Sequence, residues 1–101
     1  MAATSIPLSA QRVAKELHMP LDGLLQRSVR AFLLQESRSA QLDIADFQDR
    51  YGTTSAKKLQ MQIEQGTIYS HPAWEDSIEW ERLENYLDHI NHLLDEDQDV
   101  R

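Results

Sequence analysis

Apolar residues recur every three or four positions along most of this chain, and three prolines and three glycines cut the pattern into segments. Pro7 precedes Ser9, a candidate N-cap for a short helix through His18 with Val13 and Leu17 on one face. Pro20 stands in the first turn of a second helix, where its missing N–H costs nothing. From Leu21 the spacing is sustained through Leu25, Val29, Phe32, Leu33, Ala40, Ile44, Phe47 and Tyr51, and Gly52 follows as the expected stop. Gln35–Ser39 contains no strong breaker, so one helix over 21–51 can form, about 45 Å long at ~1.5 Å per residue. A compact chain of this length has a radius of gyration of only ~13 Å. Such a helix overhangs its own core, and either it breaks near Ser37–Ser39 or another chain covers it. The second alternative is preferred.

Thr53, Thr54 and Ser55 cap a shorter helix from Ala56 to Gln65, with Leu59 and Ile63 as its apolar pair and Gly66 as its end. A last helix opens at Pro72 and runs to about Asp95. Strand signal is confined to Thr4–Leu8. The predicted fold is all-α, with four or five helices, a long central one and at most a short N-terminal strand, as an intertwined helical dimer. Residues 1–51 form the dimerisation region and residues 52–101 an acidic, partner-binding region.

The last helix has two faces. With residues ~100° apart, Trp80, Leu83, Leu87, Ile90 and Leu94 make one stripe, flanked by Tyr86 and Leu93, while Glu81, Glu84 and Asp88 lie on the far side. Extrapolated backwards, the stripe meets Asp76 and Glu79, and Trp74 and Ile78 point away from it. Ionised carboxylates are rarely buried unpaired. Either the helix kinks near Glu79 or its two ends face different partners, and tryptophans beside acids resemble the anchors and rim of a binding surface.

Charge sharpens this picture. The net charge is −7, and residues 75–101 carry ten acidic side chains against Arg82 and Arg101. Such a segment repels nucleic acid and attracts a basic surface. A hydrophobic fraction of 41% suits one folded domain, and the absence of cysteine excludes disulfides and thiolate metal sites. Met1–Pro7 lacks the basic and apolar regions of a secretory signal, and no apolar run approaches the ~20 residues of a membrane span. A soluble, cytoplasmic protein is expected.

Catalytic chemistry finds no foothold. His89 and His92 are three apart on a helix, but a catalytic zinc needs a third ligand and an open position, so they read as a polar pair. No serine sits in a Gly-x-Ser-x-Gly turn, and the glycines punctuate helices rather than cradle phosphates. The expectation is a non-enzyme without metal or cofactor. For DNA, a short strand before two helices is the order of a ribbon-helix-helix dimer, with Thr4 and Ile6 on the strand and Arg27 and Arg30 as phosphate contacts. Against it, Thr4–Leu8 carries none of the usual base-reading side chains, and Pro7 removes a ladder donor. A dimeric DNA-binding repressor is the alternative reading.

The segment Ser9–Leu33 resembles the N-terminal helical pair of small prokaryotic antitoxin-like proteins encoded beside ribonuclease toxins. The segments Arg50–Ser55, Ile63–Ile68 and His71–Trp80 are similar to their second half. The resemblance implies a homodimer whose C-terminal part covers a basic toxin, with operator DNA a further partner in such systems. It places Trp74, Glu75, Asp76, Glu79 and Trp80 against the toxin, with Ile78 beside them. An acidic helix there would occlude the RNA-binding surface while its aromatics fill apolar pockets.

Overall fold

The structure, a computed structural model, describes residues 6–99, with side chains to residue 97. It is all-α: α1 (Leu8–Glu16), α2 (Leu21–Tyr51), α3 (Ala56–Glu64) and α4 (Ser70–Asp99), with no strand among the described residues. Thr4 lies outside those residues, Ile6 and Pro7 adopt no regular structure, and Leu8 already opens α1. The expected strand over Thr4–Leu8 is thus absent where it is described. Among the described residues no helix is long and apolar enough to cross a membrane.

The local rules act at most of the junctions. Pro7, not Ser9, occupies the N-cap of α1, its carbonyl accepting from the amides of Ala10 and Gln11. His18 ends that helix in the left-handed region at φ 55°, and the Met19 amide reaches back to the Ala14 carbonyl. Pro20 is the N-cap of α2 rather than a residue of its first turn. Gly52, at φ 63° and ψ 30°, ends α2 in a conformation that costs any residue with a Cβ. Ser55 caps α3 by accepting from the Lys58 amide at 3.2 Å. His71 is non-helical within α4, so the continuous helix starts at Pro72, as the sequence predicts.

α2 is one unbroken helix of 31 residues, without a break at Ser37–Ser39. Its cover comes from its own chain. The 30-residue α4 runs back beside it, and Arg30 on α2 meets Asp97 near the end of α4 at 3.3 Å. α4 continues past the expected end at Asp95 and lies along one side of α2 as an antiparallel hairpin. The facing stripe of α2 is Leu33, Ser37, Ala40 and Phe47, with Ile44 and Tyr51 partly buried. Alternating steps of three and four keep such a stripe on one side of a helix. The opposed stripe of α4 is Ala73, Ser77, Trp80, Leu83 and Ile90.

Regions 1–51 and 52–101 meet in one cluster, where Phe47 and Ala40 pack with Ala56, Leu59, Ala73, Trp80 and Leu83. The cluster sits at one end of a rod of 59 × 28 × 26 Å whose radius of gyration is 19.7 Å, well above the ~13 Å of a compact chain. α3 packs chiefly on α4 at that end, and α1 packs on α2 at the other. Towards the α1 end the side chains are less well covered. Val29 and Phe32, predicted in the apolar stripe, are 55% and 59% exposed.

Candidate partner-docking surface

The first turns of α4 carry the residues singled out by the sequence, and they divide into three groups. Trp80 belongs to the interior. Its indole is 0% exposed and stacks on Phe47 with ring centroids 5.7 Å apart and planes 11° from parallel. The expectation that Trp80 meets a partner is therefore corrected. Small residues, Ala73 and Ser77, continue the stripe backwards and admit the neighbouring helices, so the indole has room to turn inwards.

Asp76 forms the second group. It lies at the margin of the stripe, where the Tyr51 hydroxyl and the Arg50 guanidinium both donate to its Oδ2, the latter at 3.0 Å. Arg50 also pairs with Asp46 at 2.7 Å and lies over the Phe47 ring, 5.2 Å from its centroid. This network supplies the compensation that a half-buried carboxylate needs. No kink at Glu79 is required. Burial first, and donation to Asp76 next, push the Tyr51 hydroxyl above its ordinary pKa, while the bond to Asp76 raises that of Arg50. Asp76 is committed to its own fold.

The third group faces outwards. Trp74 is 45% exposed and Ile78 is 51% exposed. Four residues apart, they stand together on the side of α4 turned away from α2. Glu75 and Glu81, both exposed, flank them, and Glu79 lies further round the helix. Arg82 holds Glu79 through two bonds, at 3.0 and 2.6 Å, and keeps its carboxyl below the usual range. Glu75 is also lowered, first by its own backbone N–H and then by His71, whose Nδ1 is 3.2 Å away. Both acids stay ionised around the exposed apolar pair. Sequence reasoning missed Tyr69, 91% exposed just before α4, and Met61 on α3, also exposed. Their positions outside any apolar stripe were the available signal.

The other candidates are scattered. His89 and His92 are exposed on α4, and His92 lies 3.9 Å from Asp88. Among the described residues no three metal-ligating side chains are grouped. Arg27 is exposed, but Arg30 is engaged by Asp97, and Ile6 is not on a strand. A shallow hollow of about 380 Å³ lies between α2 and α4, bordered by Glu36, Asp43, Arg82 and Tyr86. The Tyr86 hydroxyl donates to Glu36 at 2.5 Å, and that bond, followed by burial, pushes its pKa up. A phenol held protonated in this way is a weak general acid or base near neutral pH.

The family model described as the Uncharacterized protein MJ0235 family matches residues 1–98. No curated protein matches the chain. No solved structure matches it either.

Proposed function

The chain belongs to the Uncharacterized protein MJ0235 family, and we propose that it acts by binding a basic partner protein through the outer face of α4, not by catalysis. The observation that carries the reading is the half-exposed pair Trp74 and Ile78 set among the exposed acidic side chains of Glu75, Glu79 and Glu81. An aromatic anchor with an apolar neighbour and a polar rim is the composition of a docking centre. Its charge would steer a basic surface towards it. The resemblance to antitoxin-like proteins supplies the class of partner, a ribonuclease toxin whose RNA-binding surface the acidic helix covers. Trp80 and Asp76 support this face from inside and do not touch the partner.

The test is co-expression with the product of the neighbouring reading frame, expected to be a short basic ribonuclease-like protein. The two should co-purify, and the complex should weaken as salt rises. Trp74→Ala and Ile78→Ala should each reduce affinity at least tenfold, the usual scale of an interface anchor, while the melting temperature stays close to that of the parent. A complex indifferent to both changes would remove the α4 face from the reading. A salt-dependent shift of the chain's own promoter DNA, lost in Arg27→Ala, would favour the repressor instead.

A further inference from the structure

α2 has a second stripe that its own chain leaves bare. On the side opposite the buried residues lie Arg27, Ala31 and Leu34, then Arg38, then Leu42, Ala45 and Asp49. All seven are exposed, Leu42 at 66%. At about 100° per residue they fall within an arc of roughly 80°. Neither α1 nor α3 covers them. α1 meets α2 around Leu24, Leu25 and Ser28, and α3 packs mainly on α4.

The spacing of this stripe and its five inner residue types read the same in both directions, and its two ends carry opposite charges. Steps of four, three and four lead from Arg27 to Arg38, and steps of four, three and four lead on to Asp49. Laid antiparallel on itself about Arg38, the helix sets Leu34 against Leu42, Ala31 against Ala45, and Arg27 against Asp49 of the second copy. The alanines let the backbones approach, and the leucines fill the space between them. The charges select the orientation. A parallel copy would oppose arginine to arginine at one end and aspartate to aspartate at the other, whereas the antiparallel copy pairs opposite signs at both. A foreign partner has no reason to match this symmetry. A two-fold dimer demands it, because the same patch must serve both subunits.

We infer that this chain forms an antiparallel two-fold dimer through the outer face of α2, with Arg38 on the axis. The overlap from residue 27 to residue 49 is about 33 Å of helix. The inference is independent of the α4 surface, which lies on the opposite side of the hairpin and remains free in such a dimer. Arg38 facing its own copy is the one unfavourable pair, so the dimer is weaker than its leucines alone would make it.

The full chain can be tested in solution. Sedimentation should give twice the monomer mass, dissociating on dilution. Arg27→Glu alone, and Asp49→Arg alone, should each raise the dissociation constant about tenfold, since two attractive end pairs become repulsive. The double exchange should restore the parent value, which loss of folding could not do. Arg38→Leu should tighten the dimer. Because the chain lacks cysteine, Arg38→Cys offers a direct readout: oxidation should link two copies, whereas Ser39→Cys, one residue round the helix, should link far less. A monomer at all concentrations, a dimer unmoved by the charge exchange, or equal linking through positions 38 and 39 would each overturn the inference.

Discussion

At the residue scale, the two tryptophans separate stability from recognition. Trp80 fills the centre of the core, so Trp80→Ala should destabilise the chain by about 3–5 kcal/mol in urea unfolding. Its Nε1–H is buried without an acceptor among the described residues, and Trp80→Phe, which removes that donor, should cost less. Trp74→Ala should cost under about 1 kcal/mol, because half of that side chain already meets water. Equal costs for Trp74 and Trp80 would contradict the division. Tyr51 and Tyr86 give a pH signature. Both hydroxyls donate to carboxylates, and both pKa values lie above the ordinary 10.0. In the folded state each holds its proton longer than in the unfolded chain. Their contribution is complete below pH 10 and is lost as pH rises through the raised values. Melting temperature should therefore fall above about pH 10, and Tyr51→Phe with Tyr86→Phe should flatten that fall. An unchanged alkaline slope would show that these bonds do not set it.

At the scale of the elements, the punctuation was largely legible from the chain. Gly52, Ser55, Gly66 and Pro72 act locally, through φ angles and capping bonds that depend on few neighbours, and each stands where its residue type predicts. Gly52→Ala should cost about 1 kcal/mol by forcing a Cβ into the left-handed region, though open space surrounds it. No loss on thermal unfolding would mean that the turn relaxes freely. The stripes were harder to read. Ser37 and Ser77 are buried, and small hydroxyl residues carry no apolar signal. Ser77 satisfies its hydroxyl on the Trp74 carbonyl at 2.7 Å, a bond that only the helix supplies. Without those serines the apolar pattern of α4 ends at Trp80 and extrapolates to Asp76 and Glu79, whereas Ala73 and Ser77 hold the buried positions. Val29 and Phe32 erred in the other direction: their spacing fits the stripe, yet both stay more than half exposed towards the α1 end.

Across the whole molecule, the rod has one well-packed end and one open end. Phe47, Leu59 and Trp80 anchor the first, whereas α1 contributes only Ala14 as a buried residue. Hydrogen exchange should show the strongest protection in residues 44–50, 57–63 and 77–84, and the weakest in α1 and the first turns of α2. Uniform protection along the rod would contradict this gradient. The asymmetry also separates two surfaces. The half-exposed Trp74 and Ile78 stand at the firm end, where a preorganised face loses little freedom on binding. The self-complementary stripe runs along the middle of α2, backed by the buried residues opposite it.

The amino-acid sequence by itself determined the helices, their stops and caps, and the polarity of the last helix, because these depend on neighbours within about four residues. It could not determine what lay across from each stripe. That α4 shields α2, that Phe47 claims Trp80, and that Tyr51 and Arg50 claim Asp76 follow from side chains 25 to 67 positions apart in the chain. Burial and pairing of charge are properties of such distant contacts, so only the tertiary structure decided which of the candidate residues remained free to meet another molecule.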